Sequence, residues 1–276
     1  MEHYEFVFEL PGNEQKEILI ARLNNIGFTG FEEDGAQLKA FINTLYINEL
    51  EFDNIISINQ LKYSRSIIKE KNWNAEWESG FEPVTIFYPG TTTPFVNLRA
   101  FFHEKNREAV YDIEVTPKMS FGTGHHATTH LMIEEMSQLE FAGQQVIDFG
   151  TGTGVLAILA EKLGAPAVTA IDHDDWSIEN AKENISKNGC DKISLLKAET
   201  ITEGLMAGIL LANINLNIII ACLHDIIKAC RPGATMLFSG IMKHDEPVIK
   251  RSLEESSIKI VECRYRNEWL IIRAKI

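Results

Sequence analysis

Basic residues are scarce in this chain: 26 Lys and Arg stand against 39 Asp and Glu, for a formal net charge of −13. Phosphate binding needs clustered cations, so a direct nucleic-acid partner is disfavoured. A basic protein partner fits the sign of the field, although acidity kept for solubility gives the same count. Cysteine is also sparse. Cys190, Cys222, Cys230 and Cys263 form no Cys-x-x-Cys pair, which predicts reduced thiols in a cytoplasmic protein and no disulfide scaffold. No apolar run reaches the length of a membrane span. The longest, Ile209 to Leu223, is broken by Asn213, Asn215 and Asn217. Met1-Glu-His-Tyr-Glu5 has no basic region, so no secretory leader is predicted. Repeats and low-complexity tracts are missing as well. What remains, 45% hydrophobic and 24% charged over 276 residues, suits one large or two modest globular domains.

The most informative stretch is Asp148-Phe-Gly-Thr-Gly-Thr-Gly154. The apolar Val146-Ile147 before it reads as a buried strand end, and Val155 to Leu163 after it as a helix. A glycine turn between strand and helix lets a ligand approach the backbone, and the helix start offers free N–H groups. The next strand, Ala167 to Ile171, ends at Asp172, where a carboxylate can accept hydrogen bonds from both ribose hydroxyls. The region therefore predicts a nucleoside-containing cofactor. Glycines at 150, 152 and 154 do not follow the dinucleotide spacing, whose third small residue would fall on Val155. Asp148 beside the loop would repel a pyrophosphate but not a sulfonium. S-adenosylmethionine is thus favoured over a nicotinamide cofactor. A plain tight turn is the bland alternative.

Two further clusters stand out. Met119-Ser-Phe-Gly-Thr-Gly-His-His-Ala-Thr-Thr-His130 precedes a helical pattern at Leu131 to Met136. His126 and His130 have metal-pair spacing, but nothing nearby completes a site, so no metal is expected. Thr128 or Thr129 is the expected helix cap, and the segment is read as folding over the cofactor. The apolar run from Gly208 reads as a buried parallel strand with Asn213 at its C-terminal end, where ligands of open α/β sheets sit. Asn213 is the candidate catalytic residue. Capping the following helix competes with that role, unless Asn215 is the cap.

At these residues the chain resembles the ribosomal large-subunit protein eleven methyltransferases, the PrmA family. The match is carried by Phe-Gly-Thr-Gly-x-His-x-Thr-Thr at 121–129, Ile-Asp-Phe-Gly-x-Gly-x-Gly at 147–154 and Ile-Asp at 171–172. It continues in Ala-Asn-Ile at 212–214, Ser-Gly-Ile at 239–241 and Glu268-Trp269. Asn72-Trp-Asn-Ala-Glu-Trp-Glu78 and Phe81-Glu-Pro-Val84 look like the family's joining segment. The resemblance implies that Thr129, Gly150, Asp172 and Asn213 contact S-adenosylmethionine. Gly152, Phe121 and Asp148, from the same segments, complete the candidate set. Thr151 departs from the Cys that many members carry, at a position where the backbone makes the turn. Ile214-Asn215-Leu216 stands where amide-nitrogen methyltransferases would have Pro-Pro-Tyr, which suits an amine rather than a glutamine.

Residues 1–63 carry eleven acids and four bases. Tyr4 to Leu10 alternates as a strand, Gln15 to Asn24 reads as a helix, Phe28–Glu32 and Gln37–Ile42 as a hairpin around Asp34-Gly35, and Glu51 to Asn59 as a second helix. That is β-α-β-β-α, a small α+β sandwich of the ferredoxin-like type. The expected layout is a substrate-recognition domain at 1–70, with dimerisation as its alternative role. The methyltransferase domain with its joining segment follows at 71–276. Trp73 and Trp77 in the joining segment share one helical face and read as a hydrophobic anchor. Asn97–Phe102 and Val110–Val115 are expected strands. Ile193–Leu196 and Ala234–Ser239 continue a doubly wound, Rossmann-like class I methyltransferase sheet, and Ile258–Cys263 with Trp269–Ala274 close it as an antiparallel pair. Whether Trp269 reaches the substrate pocket or only fills core stays open. The expected activity is methylation of lysine side-chain amines, and of the α-amino group as a further target, on ribosomal large-subunit protein eleven by a monomeric enzyme. The alternatives are a methyltransferase with another acceptor, a nicotinamide-dependent oxidoreductase, and a non-catalytic binding module.

Overall fold

The structure, a computed structural model, describes residues 2–10, 12–28, 30–35, 37–59, 61–69, 81–116, 122, 124–202 and 204–276. The expected anchor at Trp73 and Trp77, and the candidate contact Phe121, lie outside the described residues. The chain divides into two compact units, Met1–Trp73 and Asn74–Ile276.

The first unit runs β1 (Glu2–Glu9), α1 (Asn13–Asn25), β2 (Gly30–Asp34), β3 (Gln37–Asn43), α2 (Glu49–Asn59) and β4 (Tyr63–Lys69). The strands lie in the order β2-β3-β1-β4, with antiparallel neighbours. This is the split βαβ arrangement. Alternation puts Phe6 and Phe8 on one face beside Leu38, Ala40 and Ile42, and the helices cover that face with Leu19, Leu23 and Phe52. β4 is not among the elements expected from the sequence. On its core-side positions this strand carries Tyr63, Arg65 and Ile67 opposite Phe8, Phe6 and Tyr4, so its apolar alternation is interrupted by a cation. Arg65 is accommodated there because its guanidinium lies 3.5 Å from the Tyr4 ring centroid and 2.8 Å from Glu49.

The second unit begins with β5 (Val84–Phe87), β6 (Pro94–Arg99) and β7 (Tyr111–Glu114), a three-stranded sheet in that order. A seven-stranded sheet follows, built from β8 (Gln145–Phe149), β9 (Ala167–Asp172), β10 (Ile193–Lys197), β11 (Ala207–Asn213), β12 (Cys230–Met242), β13 (Lys259–Arg266) and β14 (Trp269–Lys275). Its order is β10-β9-β8-β11-β12-β14-β13, parallel except for the pairings of β14. This is the doubly wound class I methyltransferase sheet that the sequence predicts.

Helices α3 (Ala127–Met136), α4 (Val155–Lys162) and α5 (Asp175–Lys187) pack with one core cluster. Helices α6 (Leu216–Lys228) and α7 (Glu246–Glu255) pack with the other. β11 lies between them: Ile209 and Leu211 enter the first cluster, Leu210 and Ala212 the second. A strand buried on both faces must be continuously apolar, which is why this one is legible as a run. α5 is not legible that way. Its buried stripe is Asn180, Ala181, Asn184 and Ile185, half of it asparagine, so apolar periodicity is lost. The strand order reverses between β8 and β11, and this places a crevice beyond their C-terminal ends. Among the described residues no helix is long and apolar enough to cross a membrane.

Candidate active site

Three strand ends build the crevice. After β8 the chain turns through Gly150, Gly152 and Gly154, with φ of 78°, 54° and 79°. Glycine reaches this left-handed region without a steric penalty. Gly150 N and Thr151 N donate to the Ile171 carbonyl at 2.8 and 2.9 Å, folding the turn onto the end of β9. Gly152 N donates to Asp172 Oδ2 at 2.9 Å, and Asp174 N donates to Asp172 Oδ1 at 3.1 Å. Each carboxylate oxygen is thereby fixed from one side and keeps acceptor capacity for a ligand.

Asp148 is placed differently from its expected role. Its side chain is wholly buried beneath the turn, where Oδ2 accepts from Thr151 Oγ1 at 2.6 Å and from Ala157 N at 3.2 Å. Burial pushes its carboxyl up to about 7, against the pull of those two donors. It supports the loop from behind and has no surface on the cavity, so the repulsion argument cannot rest on it. The acids that do line the cavity are Asp172, Asp174 and Glu199, and no Lys or Arg lines it among the described residues. That wall is unsuited to a pyrophosphate and electrostatically compatible with a cationic ligand.

The end of β11 carries Asn213, which is 8% exposed. Its Nδ2 donates to Thr129 Oγ1 at 3.5 Å, and its Oδ1 is buried without a hydrogen-bond partner. Asn215 takes the capping role: its Oδ1 accepts from Ile218 N at 3.1 Å at the start of α6. The capping role therefore falls to Asn215 and not to Asn213. Ile214 between them sits where three segments converge. A Cβ on Gly150 would lie 2.1 Å from its Cγ2, and one on Gly240 would lie 2.4 Å from its carbonyl oxygen. Gly240 thus has a steric reason that the local sequence Ser-Gly-Ile does not reveal.

Helix α3 brings the fourth wall. Its cap is neither Thr128 nor Thr129, as expected, but His126, whose Nδ1 accepts from Thr128 N at 3.3 Å. Both threonines are fully buried instead. The His126 ring meets Trp269 edge-on, with centroids 4.7 Å apart, and both rings line the cavity. Trp269 therefore belongs to the pocket wall, and His126 is a wall residue that sequence spacing offered only as half of a metal pair. Its spacing partner His130 turns to Glu134 at 3.2 Å. Among the described residues no group of three His, Cys, Asp or Glu could hold a metal.

The resulting cavity is about 850 Å³, within the range of small-molecule sites. It runs from Asp172 past Gly150 and Gly152 to Asn213, His126 and Trp269, with Ile218 and Cys222 of α6 on its flank. An acceptor pair at one end, bare backbone in the middle and an unpaired amide oxygen beyond it fit a nucleoside with a cationic tail. Gly150, Gly152, Asp172 and Asn213 meet on this cavity. Thr129 lies behind Asn213.

Known proteins share this sequence and architecture. The family described as ribosomal protein L11 methyltransferase (PrmA) matches residues 11–276. A ribosomal protein L11 methyltransferase of Bacteroides fragilis is 33% identical over 282 residues, covering 99% of each chain. That of Chlorobaculum tepidum is 36% identical over 292 residues, covering 97% of this chain and 94% of its own. The crystal structure of a ribosomal protein L11 methylase from Lactobacillus delbrueckii subsp. bulgaricus superposes with a TM-score of 0.63 at 25% identity, over 70% of this chain and 97% of its own. The resemblance read from residues 121–129, 147–154, 171–172 and 212–214 is borne out, and this chain belongs to the ribosomal protein L11 methyltransferase (PrmA) family of S-adenosylmethionine-dependent enzymes.

Proposed function

We propose that this protein methylates lysine side-chain amines of ribosomal protein L11, and its α-amino group as a further target. The observation that carries the reading is Asn213 Oδ1, a buried acceptor without a partner at the switch point of the sheet. A buried unpaired acceptor costs on the order of 1–3 kcal/mol, so it calls for a donor from a ligand. An amine is such a donor. Bound S-adenosylmethionine supplies a methyl group on a sulfonium. Asp172 holds the ribose hydroxyls through its free lone pairs, and the glycine turn presents backbone at contact distance. Thr129, donated to by Asn213 Nδ2, fixes the amide so that Oδ1 faces the acceptor. Oδ1 takes one N–H of the incoming amine and aims its lone pair along the line of displacement. The amine must be neutral to attack, and an ordinary lysine titrates near ~10.4. Enclosure between His126, Trp269 and Ile214 favours the neutral form by desolvation.

The acidic residues 1–70, eleven acids against four bases through residue 63, act in this reading as the recognition domain for a basic ribosomal protein, and residues 71–276 as the catalytic part. A ribosomal substrate also places the enzyme in the cytoplasm. Mass spectrometry of unmethylated ribosomal protein L11, incubated with this protein and S-adenosylmethionine, tests the reading. Mass gains in steps of one methyl group, absent with Asp172→Ala, are expected. No gain, with cofactor binding shown by calorimetry, would refute the substrate assignment and leave the cofactor site standing.

A further inference from the structure

Helix α3 is held to the β13–β14 hairpin at two places. At its start, His126 meets Trp269 edge-on in the cavity wall. At its other end, an ionic cluster closes over the same face of the hairpin. Arg264 Nη1 donates to Glu135 Oε1 and Arg264 Nη2 donates to Glu134 Oε2, both at 2.9 Å. Arg273 Nη1 lies 3.5 Å from Glu135 Oε2, and Arg273 also pairs with Glu262. The strand register puts these groups in one row. Glu262 faces Arg273, Arg264 faces Ile271, and Arg266 faces Trp269. Residues two apart share a face of a strand, so Arg273, Ile271 and Trp269 all point toward α3.

Glu135 is 1% exposed, in an otherwise apolar interface with Leu131, Met132 and Ile271. Ion pairs at such sites rarely gain stability over hydrophobic side chains of the same size. Their advantage is geometric. Consecutive residues of an α-helix diverge by about 100° around the axis. One planar guanidinium reaching both Glu134 and Glu135 therefore fixes the rotation of α3 as well as its height above the hairpin. Thr129 on the same helix and His126 at its N-cap are about one and a half to two and a half turns away.

We propose that Arg264 is a positioning residue for methyl transfer: its fork across Glu134 and Glu135 sets the rotation of α3, and through it the edge-on contact of His126 with Trp269 and the contact of Thr129 with Asn213. The inference rests on the methyltransferase reading for its kinetic consequence, but its structural half can be read without turnover. Burial would raise the Glu134 carboxyl, but the His130 contact and the charges of Arg264 and Arg266 outweigh it and hold Glu134 below the usual carboxylate range, so Glu134 is ionised at neutral pH.

The test uses the full chain labelled with 5-fluorotryptophan, with S-adenosylhomocysteine bound. Trp269 is assigned among the four tryptophans by its loss in Trp269→Phe. Arg264→Gln is expected to shift or split the Trp269 resonance. It should lower kcat on ribosomal protein L11 by roughly tenfold to a hundredfold, the scale of a displacement near one ångström. Affinity for S-adenosylhomocysteine should stay unchanged, and Arg264→Lys should fall between Gln and the wild type. Should Arg264→Gln not fold, Glu134→Gln keeps the buried Glu135 paired and should show the same shift to a smaller degree. A Trp269 resonance unmoved in these variants overturns the proposal. So does a loss of kcat matched by an equal loss of cofactor affinity. Wild-type protein that binds cofactor but does not methylate would refute the substrate reading instead, and the Trp269 resonance would still decide the clamp.

Discussion

Replacing Asp148 by asparagine should flatten the pH dependence of stability between about pH 4 and pH 7. The carboxyl is wholly enclosed, and burial raises it from 3.8 to about 7. Across that window the folded protein keeps a proton that the unfolded chain has released. The unfolded state therefore binds fewer protons, and stability falls as pH rises. Above about 7 both states are ionised and the loss is complete. A rise of about 3 pH units at 1.36 kcal/mol each gives a loss of about 4 kcal/mol by pH 8. The asparagine cannot titrate, and its Oδ1 can take the donors from Thr151 and Ala157 that Oδ2 now accepts. Its amide nitrogen then replaces Oδ1, which has no partner in the wild type. At pH 5, where Asp148 is already protonated, the variant should be the less stable by at most about 1–3 kcal/mol, the cost of an unpaired buried amide nitrogen. At pH 8 the variant should be the more stable. Urea denaturation at pH 5, 6, 7 and 8 measures both curves. Parallel curves would refute the reasoning and mean that water or relaxation reaches the carboxylate.

Asp172→Ala should weaken S-adenosylhomocysteine binding by about 1.5–3 kcal/mol, the loss of charge-assisted hydrogen bonds, and an unchanged calorimetric affinity would sink the ribose assignment. Gly240→Ala and Gly233→Ala share a left-handed backbone, with φ of 82° and 81°, but only the first puts a Cβ 2.4 Å from a backbone oxygen, that of Ile214. Gly233→Ala should cost about 1–2 kcal/mol for the conformation alone, and Gly240→Ala clearly more; equal losses in urea denaturation would count against the close packing at Ile214. Asn213→Ala should lower turnover more than cofactor affinity, whereas Asn215→Ala should cost about 1 kcal/mol of stability as a lost cap and leave kcat near the wild type. Abolished cofactor binding in Asn213→Ala would make it a cofactor ligand first.

The legible parts of this site are those whose chemistry is local. The glycine turn, Asp172 and Asn213 each stand at the end of an apolar strand, where a run of buried residues gives way to a polar one, and the sheet order does the rest. The separation of Asn213 from Asn215 was also open to local reasoning, since a cap belongs directly before its helix. What could not be read is contact between distant segments. His126 and Trp269 are 143 positions apart in the numbering, and nothing in either neighbourhood marks them as partners. Asp148 shows the complementary failure. Its place in the motif is legible, but burial, which decides whether a carboxylate acts on a ligand or on the loop, is a property of the folded sheet.

The same distinction bears on how the pocket keeps its shape. The cofactor half is defined by backbone: three left-handed glycines, two N–H donors on the Ile171 carbonyl, and a carboxylate pinned between Gly152 and Asp174. The acceptor half is defined by side chains on separate elements, Asn213 from β11, Thr129 and His126 from α3, and Trp269 from β14. Their relative placement depends on how α3 lies on the sheet. Apolar packing is tight but non-directional, so by itself it leaves a helix some freedom of rotation. A directional clamp at Glu134 and Glu135 removes that freedom, and this is why an ionic cluster buried far from the crevice belongs to the account of the site.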